Sequence, residues 1–311
     1  VGNDFSKGDL IMRKVLLATT ALVAITGVTA ANADISISGN IEWEYVSQDT
    51  GTTFKDDSSL TIKAVNAADN GVTFTAVTSL GGGSDRTTGG VNGAVKGTGA
   101  GFENVYIQAS GDFGTLYLGD VDGNSAISLI DGALGRNKDI ETDQGMGTAD
   151  TAIFLDGQAD IIYMTPSFSG LKLAFGADLT DADANASDGA MDMGLTYSMS
   201  GINIYAGATS GQVNDESNFG VSTSIAGFNI GVGARNVNDS QAKASDIGVN
   251  YTLGNGIKVA ALSGKGTDAA GTQVTNSNVG LSYTIVPGVK FNAESGKVSN
   301  ADYVRVLREY S

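Results

Sequence analysis

The chain has 311 residues, room for one large domain or two ordinary ones, with 34 acidic residues against 18 basic ones, 44 glycines, only 2 prolines, and neither cysteine nor histidine. Those two absences exclude disulfide stapling, Cys-ligated metals, thiolate nucleophiles and every catalytic arrangement built on an imidazole. A formal charge of −16 repels phosphate backbones, so no nucleic-acid partner is expected, and glycine without a three-residue period is not collagen.

In chain order, residues 1–11 precede Met12 and read as upstream sequence. Met12-Arg13-Lys14, an apolar run from Val15 to Val28, and Thr29-Ala30-Ala31-Asn32-Ala33 then follow the layout of a secretory signal peptide spanning 12–33, cleaved after Ala33. No later segment has the roughly twenty apolar residues that a membrane helix needs.

From Asp34 the pattern changes to period two. Ile35, Ile37, Ile41, Trp43 and Tyr45 share one face, and Ser36, Ser38, Asn40, Glu42 and Glu44 the other, which is the mark of a strand with one apolar and one polar side. The same alternation recurs through residues 34–311 and predicts about sixteen strands. Five precede residue 121, at 35–45, 58–66, 71–80, 102–110 and 114–120. Eleven follow, at 159–166, 170–178, 190–199, 202–209, 216–225, 228–235, 245–252, 257–263, 276–284, 288–295 and 301–307.

The connections alternate in kind. Asp69-Asn70-Gly71, Ser110-Gly111-Asp112, Phe168-Ser169-Gly170, Ser200-Gly201, Ala226-Gly227 and Leu253-Gly254-Asn255-Gly256 are short and carry the residues that tight hairpin turns require. Between them Ser47 to Asp57, Gly81 to Gly101, Asp178 to Ala190, Ser210 to Ser217, Asn236 to Ala244 and Gly264 to Ser277 read as longer polar loops. One connection, Val121 to Gln158, exceeds the rest and suits a functional segment; its apolar piece Ala126 to Ile130 could tuck against a wall.

A soluble sandwich and a membrane barrel share this periodicity, and three features favour the barrel. Charges stand in mid-strand at Glu42, Lys63, Lys172, Asp192 and Lys258, where a water-filled lumen solvates them. The apolar face is made of isolated residues, and Trp43, Tyr45, Tyr163, Tyr197, Phe219, Tyr251 and Tyr283 sit near strand ends as aromatic girdles do. Unpaired sheet edges cannot lie in hydrocarbon, so such strands must close on themselves. The fold class expected is all-β, a transmembrane antiparallel barrel. The alternative is a secreted β-rich binding or surface-structural protein, although no constant repeat of a solenoid is found. Carboxylates scattered through loops give no converging acid–base pair, so no enzyme is expected.

Asp178, Asp181, Asp183 and Asp188 crowd one connection with hard oxygen ligands and are weak candidates for calcium, without the glycine and glutamate of an EF-hand loop. No other cofactor is expected.

The stretches Ser110-Gly111-Asp112-Phe113-Gly114-Thr115-Leu116-Tyr117-Leu118-Gly119-Asp120 and Ile161-Ile162-Tyr163-Met164-Thr165-Pro166-Ser167-Phe168-Ser169-Gly170-Leu171 resemble the general diffusion porins of alphaproteobacteria, as do the signal segment and Asp34-Ile35-Ser36-Ile37-Ser38-Gly39. The resemblance covers essentially all of residues 34–311. It implies a sixteen-stranded homotrimer in the outer membrane, touching lipid and lipopolysaccharide and passing small hydrophilic solutes, with the third loop (121–158) folded into each lumen as a constriction. Asp120, Asp122, Asp131, Asp139, Glu141 and Asp143 would supply its acidic side, and Lys63, Lys172, Arg235 and Lys258 the facing basic wall. The acidic excess leads to the expectation of a cation preference. The ending Tyr303 to Ser311 departs from the terminal phenylalanine of that family, with Val304, Val306 and Tyr310 keeping the outward register and Arg308 at headgroup level.

Overall fold

The computed structural model describes residues 33–48, 51–88, 101–120, 160–178, 186–212, 215–238, 241–298 and 301–310. The upstream residues, nearly all of the signal segment and the insertion 121–158 lie outside them. Period-two alternation produces sixteen described strands. The first five are β1 (Asp34–Gln48), β2 (Gly51–Ala67), β3 (Thr73–Thr88), β4 (Gly101–Gly111) and β5 (Gly114–Asp120). Next come β6 (Ile161–Met164), β7 (Leu171–Ala177), β8 (Ala186–Met199), β9 (Ile202–Gln212) and β10 (Glu216–Ile225). The last six are β11 (Phe228–Val237), β12 (Lys243–Thr252), β13 (Lys258–Thr267), β14 (Gln273–Val286), β15 (Val289–Val298) and β16 (Ala301–Tyr310).

Each strand pairs antiparallel with its neighbours in sequence, and β16 pairs with β1 to close the barrel. The closing ladder runs from Ile41 opposite Tyr310 to Gln48 opposite Tyr303. Closure leaves no sheet edge to satisfy in lipid.

Ser200 and Gly201 (φ 51° and 81°) and Ala226 and Gly227 (φ 51° and 84°) make two-residue turns with both central residues left-handed, the geometry whose twist matches the flanking strands. These and the other short turns collect at one rim, together with the start of β1 and the end of β16. Short turns mark the periplasmic rim of such barrels, which orients the molecule.

The apolar face points outward. Met193 and Val279 are 56% and 62% exposed in the middle of their strands, as no residue facing a second sheet would be. Polar neighbours of opposite parity, Asp192, Asp246, Asn250 and Asn276, are buried against the inner side. The sandwich alternative is thereby excluded. Aromatic pairs flank the outward band, Phe228 on Tyr251 with ring centroids 4.6 Å apart near the short turns, and Trp43 on Phe54 at 6.3 Å farther along.

The structure differs from the sequence reading mainly in strand length. The connection 47–57 is no loose loop, since β1 continues to Gln48 and β2 starts at Gly51. Likewise β3 runs on to Thr88, β13 to Thr267, and β14 begins at Gln273. Above the hydrocarbon a ladder is held by backbone hydrogen bonds alone, so both faces are polar and the alternation that betrays a strand disappears. At the other end of the chain β16 extends to Tyr310, three residues past the expected 307, with Val304 and Arg308 exposed and Tyr303, Arg305 and Leu307 buried.

Candidate functional site

The site is the inner wall, and the parity of each strand decides what enters it. Glu44, Arg305 and Glu294 take inward positions on β1, β16 and β15. Arg305 Nε donates to Glu44 Oε1 at 2.8 Å, and its Nη1 lies 3.7 Å from Glu294 Oε1. Asn278 Nδ2 donates to Glu294 Oε2 at 3.3 Å and to the Tyr303 hydroxyl at 3.2 Å. A guanidinium 1% exposed between two carboxylates is a charge that the barrel can keep out of water only because both partners are present. The network bridges the first strand and the last two. Parity alone would have placed Arg305 inward, but nothing local joins it to Glu44, 261 positions away.

A second pair stands farther round the wall. Arg235 of β11 is buried and forks onto Glu216 of β10, with Nε donating to Oε2 at 3.0 Å and Nη2 donating to Oε1. The Glu216 amide in turn donates to Thr209 Oγ1 at 2.7 Å.

The four basic wall candidates all occupy inward positions, at two heights. Lys172 and Lys258 lie at the short-turn ends of β7 and β13, and Lys63 four residues from the short-turn end of β2. Arg235 sits at the opposite end of its strand, engaged with Glu216. Lys290, second residue of β15, belongs with the lysines, since Asn292 and Glu294 share its parity; it is not among the wall candidates expected from the sequence.

Of the acidic candidates, Asp120 closes β5 with its backbone opposite Val105, an outward-facing position and not the lumen position expected of it, while Asp122, Asp131, Asp139, Glu141 and Asp143 lie outside the described residues. Asp178 is buried just past β7, Asp188 belongs to β8, and Asp181 and Asp183 lie outside the described residues. Among the described residues no three carboxylates gather as a metal-ligand set.

The roots of the insertion have a distinctive position. β5 and β6 have 7 and 4 residues, where β2 and β3 have 17 and 16. The Gly119 amide donates to the Asp160 carbonyl at 2.9 Å, tying the two roots together. With about 3.3 Å per residue and a strand tilt of roughly 40°, the chain leaves the wall only about 15 Å above the short-turn rim. Below the roots the inner wall is apolar: Ile162 and Ala174 are fully buried, with Tyr117 and Met164 packed against them. Tyr117 also meets Tyr106 at 5.8 Å.

A closed barrel with an apolar exterior and a charged interior defines a transmembrane β-barrel of the bacterial outer membrane. The chain belongs to the Gram-negative porin family, whose model matches residues 18–303. It is a porin-type channel protein and not an enzyme. Among solved structures it is similar to a fivefold-substituted mutant of Rh. blastica porin (TM-score 0.70, 17% identity, 89% of this chain and 99% of that chain covered). It is similar also to Salmonella typhi OmpF in complex with daunomycin (TM-score 0.71, 11% identity, 89% and 97% covered). At such identities the likeness concerns the fold. No curated protein matches.

Proposed function

We propose that this porin is a passive, cation-preferring diffusion pore for small hydrophilic solutes, secreted by way of residues 12–33, working as a homotrimer among outer-membrane lipid and lipopolysaccharide, and narrowed in each subunit by the segment 121–158. One observation carries the reading: the insertion is rooted at the low point of the wall, directly above a buried apolar patch of the inner wall. A segment starting there has the lumen in front of it, and Ala126 to Ile130 supplies apolar side chains suited to Ile162 and Tyr117. Its carboxylates, Asp122, Asp131, Asp139, Glu141 and Asp143, then stand in the stream of ions and favour cations.

Planar-bilayer recording tests this. Folded protein should give stable conductance in steps of three, with a reversal potential in a salt gradient on the cation side that shrinks as salt rises and screening shortens. Deleting 125–155 should widen the pore and raise conductance at least about twofold, the expectation if the loop fills a lumen otherwise open across its width. Folded protein without conductance sinks the pore; unchanged conductance in the deletion sinks the constriction, and anion preference sinks the charge reading.

A further inference from the structure

The inner wall is sorted by charge along the pore axis. Lys63, Lys172, Lys258 and Lys290 all face inward between zero and four residues from the short-turn ends of β2, β7, β13 and β15. The inward carboxylates Glu44, Asp178, Asp192, Glu216, Asp246 and Glu294 stand five to ten residues up from that rim on their own strands. Two acidic residues also take inward positions near that rim, Asp34 at the start of β1 and Glu309 of β16, whose backbone lies opposite Lys290, so the collar is an excess of lysines and not a ring free of carboxylates. In the upper belt Arg235 and Arg305 are held by Glu216 and by Glu44 with Glu294, and Lys55 takes an inward backbone position opposite Glu44.

We propose that these four lysines form a cationic collar at the periplasmic mouth, opposed to the acidic belt above it, and that this collar makes the conductance rectify and gives anionic solutes a foothold at that mouth. The inference rests on the pore reading, but only on the described wall and not on the insertion.

From lysine to carboxylate along one strand, as from Lys172 to Asp178 or from Lys290 to Glu294, the axial separation is about 10–15 Å. This exceeds a Debye length of about 8 Å at 0.15 M salt, so each belt governs the ions at its own height and neither cancels the other. A channel negative at one end and positive at the other conducts better in one direction. With the external side positive, cations enter through the acidic belt and anions through the collar, so both accumulate inside. With the polarity reversed, each ion meets the belt of its own sign first and the lumen is depleted. Lysine suits the collar because its flexible stem carries a point charge into water without fixing a partner geometry.

The test is current–voltage recording on single oriented channels. The chain has no cysteine, so Asp112→Cys in a short turn, biotinylated and bound by streptavidin from one chamber, reports orientation. At about 50 mM KCl the current with the external side positive should exceed the reverse current by about 1.5-fold, and the asymmetry should vanish near 1 M. Inorganic tripolyphosphate should reduce current at lower concentration from the periplasmic chamber than from the external one. K63Q/K172Q/K258Q/K290Q should remove both asymmetries and raise the cation-to-anion permeability ratio at least about twofold. Lys172→Gln with Lys290→Gln gives roughly half of each effect and serves if the fourfold variant does not fold. Lys243→Gln with Lys265→Gln, on the outward face, should change nothing. Conducting channels with a linear low-salt response, or lysine variants that rectify as before, overturn the collar while leaving the pore intact; absence of conductance overturns both.

Discussion

At the scale of single residues the most exacting position is Arg305. Its guanidinium is sealed between Glu44 and Glu294, so Arg305→Met leaves two carboxylates facing each other without a counter-charge. The expected cost is about 3–5 kcal/mol, seen as a lower temperature at which the compact band on an unboiled gel converts to the unfolded one. Adding Glu44→Gln and Glu294→Gln to the same chain should recover much of the loss, since the penalty belongs to the stranded charges. Ala226 offers the opposite case. It is a non-glycine residue at φ 51°, a conformation that asparagine tolerates and alanine does not favour. Ala226→Asn should therefore stabilise the barrel by about 0.5–1 kcal/mol in denaturant titration. The neighbouring Gly227 must stay glycine for two reasons: its φ is 84°, and a Cβ there would meet Tyr251 at 3.0 Å.

At the scale of elements, the long strands are two strands in one: a membrane stretch with apolar outward residues, and an outer stretch polar on both faces. β12 and β13 show the change over a few residues, from Tyr251, Val249 and Ile247 to Ser245 and Lys243, and from Val259 and Ala261 to Ser263 and Lys265. Depth should then decide what a substitution costs. Met193→Lys, within the apolar band of β8, should cost about 2–4 kcal/mol, because the ammonium must be carried into hydrocarbon. Lys243→Leu at the outer end of β12 should stay within about 0.5 kcal/mol. Equilibrium unfolding in lipid bilayers measures both, and equal costs would refute the depth assignment.

At the scale of the whole molecule, the barrel turns a sequence of modest local signals into one object with an inside. Sixteen antiparallel pairs close through β1 and β16, and only closure puts Glu44 beside Arg305. The wall is lowest at β5, β6 and β7, with 7, 4 and 7 residues where β2 and β3 have 17 and 16. A closed barrel with such a ladder should stay compact in unboiled detergent and migrate faster than the boiled chain; unchanged mobility would contradict the closed ring.

Alternation alone was enough to determine strands, faces and class, because side-chain period two and the demand that lipid meets apolar atoms act residue by residue. It showed that Ile41, Trp43 and Tyr45 face out, and that Lys63, Lys172, Lys258 and Arg235 face in. It failed where a physical cause acts without side-chain pattern, in the polar extensions 46–48, 51–57 and 81–88, which only the backbone ladder reveals. Height along the pore was invisible to it as well. Arg235 and Lys258 look alike in sequence, each an inward cation in a glycine-rich strand, yet strand direction and turn position send one to the outer end and the other to the periplasmic rim. The partners of Arg305, the company of Lys290 and the low root of the insertion are products of register between strands far apart in the chain. Register is a property of the closed ring, set when the last strand finds the first.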